Sequence, residues 1–377
     1  MKRRAKHGGR GTHWDEHTPQ KLTPQAHPAD EPADAEVTGA DLTGAEPASG
    51  EPGSAEHTAV LVEEALTALA VLPAGTYVDA TFGRGGHSAR ILQLLGPQGR
   101  LIALDRDPAA IEAGRVRFAH EPRLCLLQGE FAGLAAVVRP HLPAAYCDGV
   151  LFDLGVSSPQ LADPARGFSF SRDGPLDMRM DPTRGRPASV WLAAASRDEI
   201  RRVIATLGEE RFAGRIAAAI VQARTARPLT RTGELAGLVA RCVRTREPGK
   251  HPATRTFQAL RMHVNEELSQ LQSGLEQAVS LLRPGARLAV ISFHSLEDRL
   301  VKQFIRSHAQ LDARLATLPL REAQLRAAAP LTLRRVGRQQ RPGAREIAAN
   351  PRARSAVLRV AERLAPAPPP AQRPGAA

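Results

Sequence analysis

A glycine-rich turn separates a predicted strand from a predicted helix in the stretch "TYVDATFGRGGHSARIL", residues 76–92. Gly83, Gly85 and Gly86 can adopt positive φ angles, and they let a ligand approach the main chain closely. The helix start that follows offers free N–H groups to an electronegative ligand. The turn therefore predicts a nucleotide site, although a tight strand–helix turn with no ligand would have the same sequence pattern.

Acidic residues occur at the ends of three predicted strands. Asp79 lies just before the glycine turn, Asp105 ends the second strand 20 residues after Gly85, and Asp153 ends the fourth. A carboxylate in the position of Asp105 can accept hydrogen bonds from two ribose hydroxyls. Because the carboxyl ends of parallel strands meet at one edge of a sheet, the carboxylates and the turn are expected to form one site.

Two nucleotide classes compete for this site. A dinucleotide enzyme would show the spacing G-x-G-x-x-G, but Ser88 occupies the third glycine position. S-adenosylmethionine carries a sulfonium and an amino-acid tail in place of a phosphate, and its ribose needs an acidic partner. The crowded G-G-H turn and the acidic rim therefore favour S-adenosylmethionine as the cofactor.

Five short apolar runs predict buried strands, and helical patterns lie between them. The runs are "TYVDATF", "RLIALDR", "RLCLLQG", "CDGVLFDLG" and "ARLAVISF". Runs that are apolar on both sides of the pleat are typical of a parallel sheet covered by helices. The pattern predicts a doubly wound α/β domain. The alternating segment "SAVLRVAERL" predicts a late edge strand.

A long basic segment interrupts the strand pattern. About 130 residues separate the fourth and fifth predicted strands, which is far too long for a single crossover. Residues 165–256 are predicted to be an inserted helical domain, and they carry 18 Lys or Arg and nine Asp or Glu, a net charge of +9. This charge is expected on a surface that faces nucleic acid, although solvated helix faces would explain part of it.

Composition bounds the remaining possibilities. The net charge of +12 comes mostly from arginine, which suits bidentate phosphate contacts, although a general compositional bias would give the same count. Cys125, Cys147 and Cys242 are too far apart for a metal-binding motif and predict a reducing, cytoplasmic location. No apolar run is long enough to predict a membrane span. Residues 1–55 and 365–377 are predicted to be disordered tails.

Eight ordered blocks resemble one known family. The blocks are "HTAVLVEEAL", "DATFGRGGHS", "ALDRDPAA", "LFDLGVSSPQLADPARGFSF", "PLDMRMD", "HPATRTFQALRMHVNEEL", "ISFHSLEDRLVKQF" and "NPRARSAVLRVAER". They are similar to the signatures of the MraW/RsmH family, bacterial S-adenosylmethionine-dependent methyltransferases that modify N4 of a cytidine in small-subunit (16S) ribosomal RNA. The resemblance implies a class I, Rossmann-like methyltransferase sheet, formed by residues 56–164 and 257–364, with the inserted helical domain between them.

The resemblance also assigns cofactor contacts. It implies that S-adenosylmethionine is held by Gly85, Gly86, His87, Asp105, Phe131, Asp153 and Gln160. Asp105 would clamp the ribose, and Phe131 would lie near the adenine. Members of the family often have Asn where this chain has Glu130, which puts a polar role at that position in doubt.

Methylation of a cytidine N4 requires help from the enzyme, because the amine shares its lone pair with the ring. A group that accepts hydrogen bonds from the amine would localise that lone pair. Asp153, or a backbone carbonyl of Ser157 or Ser158, is a candidate acceptor. His294, after the fifth strand, is a second candidate catalytic residue, as a proton acceptor, a base-stacking group or a core residue. Ser295 and Asp298 match a helix-capping pattern.

Arginines near the expected pocket are candidate RNA ligands. We predict phosphate contacts from Arg255, Arg261, Arg352 and Arg354. Phe168 and Phe170 could stack on a base but are more consistent with packing. Small-subunit ribosomal RNA, within the small subunit, is the expected partner, and no metal is predicted. A small-molecule or protein methyltransferase, a non-catalytic RNA-binding factor and a nicotinamide dehydrogenase remain the alternatives.

Overall fold

The structure is a computed structural model that describes residues 59–243, 251–311 and 331–366. The predicted N-terminal tail, and the predicted C-terminal tail from residue 367 onward, lie outside the described residues. No helix in these three ranges is both long enough and apolar enough to cross a membrane.

Seven strands form a single sheet in the order β3-β2-β1-β4-β5-β7-β6. Strands β1 to β5 are parallel, whereas β7 runs antiparallel to both β5 and β6. This arrangement confirms the predicted doubly wound α/β fold. The strands are β1 Thr76–Asp79, β2 Arg100–Asp105, β3 Leu124–Gln128, β4 Cys147–Asp153, β5 Leu282–Ser292, β6 Leu333–Arg335 and β7 Val357–Arg363.

Helices cover both faces of the sheet, which explains why the central strands are apolar on both sides. Buried side chains of α4, α11 and α12 pack on one face, and those of α1 and α2 pack on the other. The helices are α1 Val62–Leu69, α2 Gly86–Leu94, α3 Pro108–Arg117, α4 Leu134–Val138, α5 Ser158–Ala162, α6 Ala188–Ala194, α7 Arg197–Leu207, α8 Ala213–Ala226, α9 Thr232–Cys242, α10 Thr254–Val264, α11 Glu267–Leu281, α12 Ser295–Ala309 and α13 Ala344–Ala349.

The late strand differs from the prediction. The alternating segment forms β7, but β7 lies between β5 and β6 and is therefore not an edge strand. The edge is the three-residue strand β6, in which Leu333 is buried and Arg334 and Arg335 are exposed. So short a strand leaves no alternating pattern in the sequence, and this is why the prediction missed it.

Helices α6 to α10 build a second hydrophobic core within the long basic segment. Its buried members include Leu161, Phe168, Ile204, Ile220 and Leu260. The predicted limit between residues 256 and 257 falls inside α10, whose Phe257 and Leu260 pack with α7 and α8. The limits of an inserted domain therefore stay a prediction, while the described residues from Ala188 to Cys242 are mostly helical.

Candidate active site

A cavity lies where the strand order of the sheet reverses. Because β1 lies between β2 and β4, the connections that leave β1 and β4 diverge, and open α/β sheets bind ligands in the crevice that results. Of the predicted cofactor residues, the cavity wall contains Gly86, His87, Asp105, Phe131, Asp153 and Gln160. The structure thus brings together residues from β2, β4, α2, α5 and the segment that follows β3.

The glycine turn is built by two left-handed residues. Gly83 has a φ of +55° and lines the cavity, and its N–H donates to Asp105 Oδ2 at 2.7 Å. Gly85 has a φ of +71° and faces the protein, where a Cβ would lie 2.7 Å from the Phe118 ring and 2.8 Å from the Phe82 ring. Gly85 therefore shapes the turn by close packing, and Gly83 and Gly86 present the main chain to the cavity.

Asp105 anchors the turn to the end of β2. Its Oδ2 accepts from Gly83, and its Oδ1 accepts the N–H of Asp107 at 2.8 Å. Burial of the carboxyl raises the pKa of Asp105 to about 6, although these two backbone hydrogen bonds oppose the shift and nearby Asp107 and Asp79 add to it. A carboxylate fixed in this way can accept ribose hydroxyls with its remaining lone pairs.

Cofactor binding should depend on pH through Asp105. Only the ionised carboxylate accepts two hydroxyl hydrogen bonds, and that form is lost as the pH falls through a pKa of about 6. We expect the Kd for S-adenosylmethionine to rise about tenfold between pH 7 and pH 5, in calorimetric titrations. The Asp105→Asn variant should bind more weakly at pH 7, and its affinity should change much less over this interval. An unchanged wild-type Kd would contradict a ribose role for Asp105.

Two further carboxylates and a histidine lie next to the turn. Asp79 is buried at the end of β1, where it accepts from Ser88 Oγ at 2.6 Å and from the Thr81 N–H at 3.1 Å. Burial raises the pKa of Asp79, and its hydrogen bond from Ser88 and the charge of His87 partly offset the shift. Asp153, at the end of β4, lies 3.3 Å from His87 Nδ1 through its Oδ2.

Asp153 keeps spare capacity to accept hydrogen bonds. Its backbone N–H donates to Thr81 Oγ1 at 2.6 Å, which fixes the end of β4 against the glycine turn. Its side chain is 24% exposed at the cavity wall, and its Oδ1 has no hydrogen-bond partner among the described residues. A buried carboxylate oxygen without a hydrogen-bond partner is unusual. It indicates that a bound ligand supplies the missing donor.

Phe131 and Gln160 complete the wall in different ways. Phe131 follows β3 and meets the buried Phe152 ring edge-on, with 5.8 Å between ring centroids. This orientation leaves an apolar surface suited to an adenine. Gln160 is buried, and both ends of its amide make hydrogen bonds within the protein. Its Oε1 accepts from the Ser157 N–H at 2.9 Å, and its Nε2 donates to Asp107 Oδ2 at 2.7 Å. Gln160 therefore ties the loop after β4 to the end of β2.

Glu130 makes hydrogen bonds with two neighbouring side chains. Its carboxylate accepts from Arg106 at 3.3 Å and from Gln270 at 3.0 Å. These contacts connect the segment that carries Phe131 with α11 and with the residue after Asp105. The departure from the Asn that is frequent in the family is thus accommodated outside the cavity wall.

Both ends of the described chain close the cavity. Ala59 and Val60 line it on one side, and Asn350 and Arg352 line it on another. The Leu61 N–H donates to Glu346 of α13 at 2.8 Å. Arg352 donates to the Ser158 hydroxyl, and burial lowers the pKa of its guanidinium. Arg352 therefore braces the loop after β4, in addition to any contact with RNA.

His294 lies beside the cavity and not in its wall. Its Nδ1 accepts the N–H of Glu297 at 3.3 Å and caps α12, while Glu297 Oε2 accepts the Phe293 N–H at 2.9 Å. The predicted cap of Ser295 and Asp298 is therefore wrong, because Asp298 is held by Arg359 through two hydrogen bonds. A catalytic role for His294 is disfavoured by its position, since the ring is buried in this capping arrangement.

The arginines that were predicted to contact RNA differ in their surroundings. Arg354 is exposed, and Arg255 Nη1 donates to the Glu209 carbonyl at 2.6 Å. Arg261 differs from the prediction because it is buried, and its guanidinium makes two hydrogen bonds of 2.7 and 2.8 Å with Glu267. Its guanidinium is therefore committed inside the protein and does not present a surface for phosphate.

Glu267, His294 and Glu297 form a buried cluster of metal-capable side chains. Among the described residues, one ligand atom from each lies within 4.8 Å of the others. However, Arg261 already holds both carboxylate oxygens of Glu267. Burial alone would raise the pKa of Glu297, but His294, Arg261 and the Phe293 N–H lower it below its usual value. The Arg261 guanidinium and the Phe293 N–H thus already occupy oxygens of both carboxylates.

Some wall residues were not foreseen from the sequence. Thr81 sits between Asp79 and the glycine turn and links them to Asp153. Val60 and Asn350 line the cavity from segments remote in sequence. The motif "DATFG" carried a signal for Thr81, since hydroxyls in such turns bond to nearby backbone. Nothing local in the sequence marks Val60, because it contributes its backbone carbonyl oxygen, which lies 3.0 Å from His87 Nε2.

The cavity fits S-adenosylmethionine. The carboxylates of Asp105 and Asp153 lie in the cavity wall beside the glycine turn, which suits a cationic ligand with a ribose and disfavours a pyrophosphate. Phe131 supplies an apolar wall for the adenine, and Asp153 keeps an unpartnered oxygen. With the strand order of the sheet, these features define an S-adenosylmethionine-dependent methyltransferase of class I.

The chain belongs to the MraW methylase family, whose sequence pattern matches residues 54–364. It is similar to the "Ribosomal RNA small subunit methyltransferase H" of Thiobacillus denitrificans, with 57% identity over 311 residues that cover 82% of this chain and 98% of the relative. Among solved structures, an rRNA methylase from Streptococcus thermophilus matches 80% of this chain and 95% of its own, with 11% identity and a TM-score of 0.36.

Proposed function

We propose that this methyltransferase modifies N4 of a cytidine in 16S ribosomal RNA, within the small ribosomal subunit. The observation that carries the proposal is Asp153, a cavity-wall carboxylate with spare acceptor capacity next to the nucleotide turn. An exocyclic amine needs such an acceptor. The 57% identical relative, named as a small-subunit ribosomal RNA methyltransferase, supports the substrate. Action on ribosomal RNA would place the enzyme in the cytoplasm.

Each residue of the cavity has a distinct task in this reaction. Asp105 would bind the ribose, Phe131 would cover the adenine, and the turn at Gly83 and Gly86 would receive the amino-acid tail. The bound cofactor supplies an electrophilic methyl group. Asp153 would orient the cytosine amine by accepting a hydrogen bond from it, which concentrates the nitrogen lone pair on the line of attack. Positioning of this kind supplies much of the rate enhancement of a two-substrate reaction.

The basic helical segment would guide the RNA to the cavity. Helix α7 presents Arg197, Arg201 and Arg202 on its exposed surface. Arg352 lies at the cavity rim, and Arg354 is exposed close to it in sequence. Arginines suit phosphate recognition because the guanidinium can make two parallel hydrogen bonds. A substrate inside an assembled subunit would meet both surfaces at once.

A direct assay tests the function. The full-length protein is incubated with labelled S-adenosylmethionine and either unmodified small subunits or protein-free 16S RNA, and the RNA is digested for nucleoside mass spectrometry. We expect N4-methylcytidine at one position, formed faster on the subunit. The Asp153→Asn protein serves as the inactive control. Label in a different nucleoside, or in ribosomal protein, would refute the proposed target.

A further inference from the structure

His87 contacts oxygen acceptors with both of its ring nitrogens. Its Nε2 lies 3.0 Å from the carbonyl oxygen of Val60, and its Nδ1 lies 3.3 Å from Asp153 Oδ2. A carbonyl oxygen cannot donate a hydrogen bond, so Nε2 must carry a hydrogen. A neutral imidazole would then turn a bare Nδ1 toward the carboxylate. The geometry therefore requires a second proton between His87 and Asp153.

The surroundings favour a positively charged ring. Asp153 at the end of β4 and Asp79 at the end of β1 both face His87, and the ring is 5% exposed. Burial lowers the pKa of His87, but the charges of both carboxylates and its two hydrogen bonds outweigh burial and raise it. The N-terminus of α2 opposes a cation at this position, but the two carboxylates lie on the other side of the balance. The ring is thus the buried counter-cation of the two strand-end carboxylates.

We propose that His87 is a positioning residue, whose imidazolium pairs with the Asp153 carboxylate and fixes its orientation to accept a proton from the target amine. This role rests on the proposed function and deepens it. It goes beyond contact with the cofactor, because His87 acts on the substrate through Asp153. The Val60 carbonyl oxygen accepts a hydrogen bond from the other ring nitrogen and so fixes the orientation of the ring.

The methyl transfer releases a proton that a nearby group must accept. The amine lone pair forms the new carbon–nitrogen bond while the carbon–sulfur bond breaks and leaves its electron pair on sulfur. The methylated nitrogen then bears an extra proton, which passes to the Asp153 carboxylate and on to solvent. Without the imidazolium, Asp153 Oδ2 would lose its contact with His87, and the carboxylate could rotate away from the amine.

Nuclear magnetic resonance tests the pair without catalysis. The full-length protein carries ¹⁵N- and ¹³C-labelled histidine, and the His87 ring is titrated alone and with S-adenosylhomocysteine. We expect His87 to titrate above an ordinary histidine, and its pKa to fall in Asp153→Asn, because the Asp153 charge raises it. The exposed His120 provides the internal reference. A His87 ring that titrates like His120, or that does not respond to Asp153→Asn, would overturn the proposal.

Kinetics separate positioning from cofactor binding. For His87→Asn at saturating cofactor, we expect kcat to fall about 10- to 100-fold, because Asp153 loses the cation that orients it. The Kd for S-adenosylmethionine should change less than about threefold, and His120→Asn should match the wild type. A weaker Kd with unchanged kcat would make His87 a cofactor ligand only. If the wild type methylates another nucleoside, the proposed target fails, while the titration still decides whether His87 and Asp153 are coupled.

Discussion

The Asp153→Asn variant is expected to lose methyl transfer by a factor of about 10²–10³ in kcat. Asparagine has the same shape, but it offers one acceptor oxygen and no charge, and its amide nitrogen would face either the amine or His87. Cofactor affinity should fall by no more than about tenfold, because Asp105 and Phe131 keep their contacts. Single-turnover assays on small subunits, with calorimetry for the cofactor, measure the two effects separately.

The matched control for this experiment is Asp198→Asn. Asp198 lies in the first turn of α7, and its side chain is 83% exposed. The control should retain wild-type kcat. A kcat that is equally high in Asp153→Asn would show that the amine acceptor lies elsewhere, with the backbone carbonyls of Ser157 and Ser158 as the next candidates.

Breaking the ion pair between Arg261 and Glu267 should cost about 3–5 kcal/mol of unfolding free energy. Their side chains are 5% and 10% exposed, and two hydrogen bonds join them. Arg261→Met leaves Glu267 as a buried charge without its cation. Burial makes such a charge expensive, and the protein would respond by protonation or by local opening. Urea unfolding monitored by circular dichroism measures the loss.

A double variant distinguishes the ion pair from simple packing. Arg261→Met combined with Glu267→Met removes both charges, and we expect it to be more stable than Arg261→Met alone. The exposed Arg201→Met, on α7, should change stability by less than about 0.5 kcal/mol. If Arg261→Met is as stable as the wild type, or if it weakens RNA binding with no loss of stability, the buried pairing of Arg261 is wrong.

The fold could be predicted because its strands have a strong local signature. Strands covered on both faces must be continuously apolar, and the ends of parallel strands must share one edge. The order of the last two strands has no such signature. Alternation in residues 357–363 indicates a strand but not its neighbours, and β6 contributes a single buried side chain, Leu333.

The positions of three carboxylates could be predicted because Asp79, Asp105 and Asp153 each end a strand, and the ends of parallel strands share one edge. Charge alone misled the prediction for Arg261, because its partner Glu267 follows a reversal of the chain in which Glu266 adopts a φ of +53°. His294 was ambiguous because a histidine can replace a hydroxyl as a helix cap. Such pairings depend on tertiary packing, which local patterns do not encode.

The contact between Leu61 and Glu346 joins segments that are 285 residues apart. It has a consequence for the order of synthesis. A nascent chain that has passed Val60, the glycine turn and Asp153 still lacks the wall formed by Asn350 and Arg352. The cavity can therefore close only after the segment that carries Asn350 and Arg352 has been synthesised and has met the segment at Val60.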